Sequence, residues 1–373
     1  MIYLDYNATT PIFESVKARM IDVLSVTGNP SSVHAGGRQA RKVLDEARAQ
    51  VAALAECRAR DVIFTSGGTE ANNLVINGAG AERLLISAVE HESVADAAKA
   101  SGLSVERIPV LPGGMLDLAA LEAMLGEDAS NTLVSVMLVN NETGVIQPFQ
   151  DVISLAKKAG AKVHGDAIQA AGKIVIAPLI KGADYICISA HKIGGPKGVG
   201  ALIAGPTAPL KARQIGGGQE LGRRSGTENI IGIAGLGVAC TEALSGTVNP
   251  SSIKELRDYL EQQVADRFPL CIIAGADGER TDNISTIILP HIKGETQVMH
   301  FDLAGICVSS GSACSSGKVR GSGVLAAMGY DSELSACGLR VSLGWETCAE
   351  DIDAFLTAYA KIYERSRKAD TAV

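Results

Sequence analysis

Between Val62 and Leu202 the chain alternates short apolar runs with segments of helical spacing, and this alternation restricts it to one class of fold. Val62-Ile-Phe-Thr, Leu84-Leu-Ile-Ser, Thr132 to Val139, Lys162-Val-His and Tyr185 to Ser189 read as strands. Leu118, Leu121 and Leu125, and later Val152, Leu155 and Ala156, stand at helical steps between them. Repeated βα units predict a largely parallel sheet covered by helices. Ligand sites in such sheets collect at the carboxyl ends of the strands. Polar motifs follow each run here: Ser66-Gly-Gly-Thr-Glu, Glu90-His-Glu, Asn140-Asn-Glu, Gly165-Asp-Ala and Ala190-His-Lys. That coincidence points to an enzyme.

Two long helices frame this region. Val43, Ala47, Val51 and Leu54 make one apolar stripe. A second helix is expected from Ser252, which with Glu255 spells a capping box, and its inner face carries Ile253, Leu256, Leu260, Val264 and Phe268. Just before it, Ser245-Gly-Thr-Val-Asn-Pro250 suits a hinge. A large domain over residues 13–248 is therefore expected, with a smaller α+β domain made of 1–12 and 249–373. The last helix should bury Ile352, Phe355, Leu356, Tyr359 and Ile362.

A net charge of −7 disfavours a nucleic-acid binder. The longest apolar stretch, Ile230 to Cys240, is too short for a bilayer. The first residues lack the basic start and apolar run of a signal peptide, so a cytoplasmic location is expected. Eight cysteines form neither a CxxC pair nor a regular framework, which excludes zinc-finger spacing and suggests reduced thiols.

The chemistry concentrates on the strand ends. Small residues at Ser66-Gly67-Gly68-Thr69 let backbone N–H groups approach an anion at a helix N-terminus, although alone such a turn is more often only a turn. Asp184 to Ser189 is a strand that delivers Lys192 into a stretch of Gly and Pro. A lysine desolvated near other cations can form a Schiff base; Lys197 suits the ordinary role of a surface lysine. A pyridoxal phosphate site also needs an acid for its ring nitrogen, and Asp166 stands at the preceding strand end. Its plainer role is a helix N-cap. Gln169 could reach a ring hydroxyl, and the imidazole of His91 could stack on the ring.

At this point a resemblance becomes specific. Tyr3-Leu-Asp-Tyr-Asn-Ala-Thr-Thr-Pro, Gly28-Asn-Pro-Ser-Ser-Val-His, Thr69-Glu-Ala-Asn-Asn, Glu90-His, Val139-Asn-Asn-Glu-Thr-Gly, Asp166-Ala-Ile-Gln, Ser189-Ala-His-Lys, Arg224-Ser-Gly-Thr-Glu-Asn and Ser309-Ser-Gly-Ser-Ala-Cys occur in order. Together they resemble the cysteine desulfurases of the class V, fold type I, pyridoxal-phosphate aminotransferase superfamily. The resemblance runs from Tyr3 to about Asp353. It implies an α/β fold of that type and conversion of L-cysteine to L-alanine. Lys192 would carry the cofactor and act as base or acid, with His91 on the ring, Asp166 at the pyridine nitrogen and Gln169 at the ring oxygen. Gly68, Thr69, Ser189 and His191 would hold the phosphate, joined by Thr227 from a neighbouring subunit, which implies a homodimer. Asn141 and Arg340 would bind the substrate carboxylate.

Cys314 separates a desulfurase from its transaminase cousins: it would take the substrate sulfur as a persulfide and pass it to an acceptor protein, such as an iron–sulfur scaffold or a sulfur relay. Lys318 and Arg320 would favour its thiolate. The length of the segment from Cys314 to Leu325 resembles the branch with an extended mobile cysteine loop, the NifS/IscS-like one. Arg320-Gly321 and Trp345 depart from that branch's pattern and bear on the partner rather than on the chemistry. The rival readings are a selenocysteine lyase, another class V enzyme such as an aminotransferase, a non-catalytic scaffold, and a tRNA-binding module. No metal is expected.

Overall fold

The computed structural model describes residues 1–248, 251–311 and 321–370, with side chains to residue 367. Its largest element is a seven-stranded sheet. The strands in chain order are β1 (Val62–Thr65), β2 (Arg83–Ser87), β3 (Ser104–Ile108), β4 (Thr132–Met137), β5 (Lys162–Asp166), β6 (Tyr185–Ser189) and β7 (Gly200–Ala204). They lie side by side as β1-β7-β6-β5-β4-β2-β3. β7 runs against both neighbours, and the other pairs are parallel.

Every residue of β1, β4, β6 and β7 is buried, the mark of a sheet covered on both faces. The period of two sorts their side chains. In β6, Ile186 and Ile188 join Phe64, Val136 and Val163 on one face, while Tyr185 and Cys187 join Ala71, Leu74 and Leu84 on the other. The expected strands are present. β3 and β7 escaped notice for physical reasons: β3 is an edge strand whose Ser-Val-Glu-Arg-Ile sequence is mostly exposed, and β7, Gly-Ala-Leu-Ile-Ala, has only two large apolar residues.

Helix α1 (Ala35–Leu54) carries the Val43–Leu54 stripe and packs along α4 (Ile230–Leu244); α2 (Gly68–Gly78) and α3 (Glu92–Ala100) lie between them in sequence. Gly237 permits the close approach of α1 and α4, since a Cβ there would stand 2.8 Å from Ala47 Cα.

A second, four-stranded sheet joins Ile272–Ile273, Ile284–Ile288, Gly338–Ser342 and Ser309–Ser310. Helices α5 (Ser252–Arg267) and α6 (Ala349–Asp370) pack with it, together with the helix over Gly294–Leu303. The stripe of α6, from Ile352 through Phe355, Leu356 and Tyr359 to Ile362, is wholly buried, and Phe355 stacks on Phe301 at 4.6 Å. The Ser252–Glu255 capping box does not form. Ser252 is already the first helical residue, and Ser251 before it has helical dihedrals (−55°, −30°) with no side-chain cap bond. Part of the expected hinge, residues 249–250, lies outside the described residues.

The N-terminal segment connects the two regions. Ile2 and Tyr3 pair with Ile306 and Cys307, and Tyr6 N–H donates to Ser342 O. A few residues later Thr10 N–H donates to His191 O at 2.9 Å, beyond the end of β6. Trp345 closes the junction by stacking on Phe13 at 4.2 Å and meeting the Tyr6 ring edge-on at 5.2 Å. No helix among the described residues is long and apolar enough to cross a membrane.

Candidate active site

The carboxyl ends of β1, β2, β4, β5 and β6 bring most of the singled-out residues together. Asp166 ends β5, and its carboxylate accepts hydrogen bonds from Ile168 N–H (2.9 Å) and Asn72 Nδ2 (2.8 Å). The first is the short-range contact of a turn-capping aspartate; the second comes from α2. Burial raises the Asp166 pKa above the ordinary carboxylate range, and these two donors, with the His91 and Lys192 charges, act against it.

Asn72 Nδ2 also donates to Ser93 Oγ at 2.9 Å, and Ser93 Oγ lies 2.8 Å from His91 Nδ1. The Ser93 N–H donates to the same Nδ1 at 3.0 Å, with His91 as the N-cap of α3. Nδ1 is therefore an acceptor, and a neutral imidazole carries its proton on Nε2. One relay thus runs from His91 through Ser93 and Asn72 to Asp166.

Lys192 follows β6 in a single turn of 3-10 helix. Its Nζ donates to the carbonyl oxygens of Asn7 and Ala8, the latter at 2.9 Å. Gln169 Nε2 donates to the same Asn7 carbonyl at 3.0 Å, and Gln169 Oε1 accepts from Lys173 Nζ. Asn7 Nδ2 donates to Asn141 O at 3.1 Å, and that oxygen also accepts from Arg340 Nη1 at 3.1 Å. Arg340 Nη2 meets Asp5 Oδ1 at 3.0 Å, while its buried Nε has no hydrogen-bond partner among the described residues. Asn141 Oδ1 is likewise buried and unpartnered.

A fourth group lines the N-terminus of α2. A Cβ on Gly68 would come within 2.1 Å of Ile168 Cδ1 and 3.6 Å of Ser189 Cβ, so only glycine leaves this space open. Ser189 Oγ is buried there without a partner. His191 Nδ1 lies 3.3 Å from Thr9 Oγ1, and burial together with the Lys192 and Lys197 charges lowers its pKa to about 4. Thr69 is exposed at the mouth.

One expected residue stands apart. Thr227 is exposed on the segment tied to α2 by the Arg224–Glu70 ion pair at 2.8 Å. Cys314, with Lys318 and Arg320, lies outside the described residues. The flanks of that stretch meet at Glu142: Ser322 Oγ donates to Glu142 Oε2 at 2.5 Å, and a Cβ on Gly311 would come within 2.2 Å of the same oxygen. Burial pushes the Glu142 carboxyl up to about 7. Glu90, the neighbour of His91, is also held well above the carboxylate range by burial, with Asp166 adding to the effect.

Asn7, Asn72, Lys173 and Glu142 were not singled out from sequence. Asn7, Asn72 and Glu142 fall inside motifs already quoted, but their partners lie far away in sequence. Lys173 had one local signal, its place four residues after Gln169.

Comparison with known proteins identifies the family. The aminotransferase class-V family matches residues 2–355. Cysteine desulfurase 2 of Trichormus variabilis is 39% identical over 98% of this chain and 94% of its own length. The cysteine desulfurase of Cereibacter sphaeroides is 40% identical over 98% of this chain and 96% of its own. The solved structure of a NifS-like protein from Rickettsia africae superposes with a TM-score of 0.89 at 37% identity, covering 98% of this chain and 99% of that one. A family match over nearly the whole length, with relatives of this similarity, places the chain in the aminotransferase class-V family, on its cysteine desulfurase branch.

Proposed function

We propose that the chain is a pyridoxal-phosphate-dependent cysteine desulfurase that converts L-cysteine to L-alanine and takes the sulfur on Cys314. The observation that carries this reading is the convergence of Lys192, Asp166 and His91 on one group of strand ends, beside a buried, unpartnered Ser189 Oγ.

The residues present fit the cofactor. Ser189 Oγ and the space kept open by Gly68 suit a phosphate, and Asp166 suits a pyridine nitrogen. Gly68, Thr69, Ser189 and His191 would hold the phosphate, with Thr227 supplied by a second copy of the chain in a homodimer. Asp166, whose two N–H donors favour its charged form against burial, would pair with the ring nitrogen. Gln169 retains a second N–H for the ring oxygen, and Asn141 and His91 would also hold the ring. When bound, the cofactor draws electrons from the substrate carbons.

The chain's own groups do the rest. Lys192 Nζ and His91 Nε2 are placed to give and take protons. Arg340, with its free Nε, and Asn141 hold the substrate carboxylate. The Cys314 thiolate attacks the substrate sulfur: the carbon–sulfur bond breaks, a sulfur–sulfur bond forms, and the carbon keeps the electron pair and gains a proton to leave as alanine. The persulfide then serves an acceptor protein of iron–sulfur cluster assembly or another sulfur-delivery route. Seven cysteines among the described residues are all free, which fits a reducing cytoplasm. We assign 13–248 to the cofactor-binding domain and 1–12 with 249–373 to the small domain.

The test adds L-cysteine and a thiol reductant to the purified protein with its cofactor, and measures alanine and sulfide beside Cys314→Ala. Equal amounts of both products from wild type, and little from the variant, are expected. A cofactor-loaded protein that makes no alanine would overturn the activity, and an unimpaired variant would remove Cys314 from it.

A further inference from the structure

Lys173 has no role in the mechanism above, yet its amine is buried at the back of the site. It is 8% exposed, and it projects from the turn after β5. In either protonation state an amine keeps at least two N–H bonds. Two of these point to side-chain amide oxygens, Gln169 Oε1 and, at 2.9 Å, Asn7 Oδ1.

That pairing fixes two amides at once. With its oxygen turned to Lys173, Gln169 presents Nε2 to the Asn7 carbonyl at 3.0 Å. With its oxygen held by Lys173 and by Asn283 Nδ2 (3.1 Å), Asn7 presents Nδ2 to Asn141 O at 3.1 Å. The Asn7 carbonyl in turn receives Lys192 Nζ. Three residues assigned to the cofactor or substrate are thus aimed through contacts that begin at one amine.

We propose that Lys173 is a positioning residue: by orienting the Gln169 and Asn7 amides it sets the place and proton affinity of Lys192. This rests on the cofactor reading given above. The charged groups around the amine are consistent with it. Lys192 and Arg340 add to the burial that drives the Lys173 pKa well below its ordinary value. The amine therefore loses its proton more readily than a surface lysine and still serves as a double donor.

The experiment is a spectral pH titration of the pyridoxal-phosphate-loaded protein, comparing wild type with Lys173→Met and Asn7→Ala. Asn7→Ala removes the side chain that Lys173 grips and leaves the backbone carbonyl in place. Both variants should shift the midpoint of the cofactor's visible-band transition by at least half a pH unit. Lys173→Met should also lower kcat about tenfold with KM changed less than threefold. Thermal melts without cofactor establish folding; if Lys173→Met does not fold, the Asn7→Ala midpoint decides. An unchanged midpoint in the folded variants overturns the inference while leaving the cofactor reading intact. A wild-type protein that develops no visible band overturns the cofactor reading, and the inference with it.

Discussion

Glu142 offers a measurement that depends only on the fold. The residue is 6% exposed, and its carboxyl receives the Ser322 hydroxyl at 2.5 Å and has its pKa raised by burial from 4.5 to about 7. An acid whose folded-state pKa exceeds its unfolded value holds its proton more tightly when folded. Its contribution is fully present below pH 4.5 and is lost as pH rises through 7. The gap between 4.5 and about 7 corresponds to about 3 kcal/mol at about 1.4 kcal/mol per unit. For 373 residues the unfolding entropy is about 0.8 kcal/mol per kelvin, so the loss amounts to a melting shift of about 4 °C. Glu142→Gln keeps the shape and removes the ionisation. Scanning calorimetry of both proteins at pH 5 and pH 8.5, a window that holds about three quarters of that loss, should find the variant gaining about 3 °C on wild type between the two. A difference in melting temperature that stays constant within a degree would refute the reasoning.

Other changes test other parts of the structure. Arg48 holds Glu220 through two bonds of 2.8 Å while the Glu220 side chain is 1% exposed, so Arg48→Met strands a buried charge and should cost about 3–5 kcal/mol in urea unfolding; a loss under 1 kcal/mol would contradict this. Gly194 has φ +79°, and a Cβ there would lie 2.1 Å from the Phe13 ring. Gly194→Ala should displace Phe13 from Trp345, the one tryptophan, and change its fluorescence as well as lower the melting temperature; an unchanged emission spectrum would contradict this. Asn72→Leu removes a donor from Asp166 and should raise that carboxyl's pKa further, so cofactor retention should begin to fail at a higher pH on acidification. A superimposable retention curve would argue against Asn72 as a tuner of Asp166.

The legible parts of the molecule were those decided by short-range physics. β1, β4 and β6 are apolar runs bounded by turn residues, and α1 and α6 carry unbroken stripes, so period and flanks suffice to find them. Asp166, His91 and Lys192 were legible because each directly follows such a run. The Ser252 box failed because the spacing of two residues does not specify where the backbone turns helical. Asn7 and Lys173 were silent because their meaning lies in partners far along the chain: the Lys192–Asn7 contact spans 185 residues. No window of sequence contains such a pair.

That span has a consequence for biosynthesis. Residues 2–10 leave the ribosome roughly 300 residues before two of their anchors, Cys307 and Ser342. At about 5–20 residues per second, the opening segment waits roughly a quarter of a minute to a minute for its partners. Until then the segment carrying the two carbonyls that receive Lys192 is held only from the side of the large sheet, by Gln169 and His191. A ribosome-bound chain that has completed β7 already contains every strand of the large sheet but not the finished surroundings of its lysine. The surroundings of Lys192 are thereby tied to synthesis through Ser342, and a chain stopped before it lacks that hold on residues 2–10.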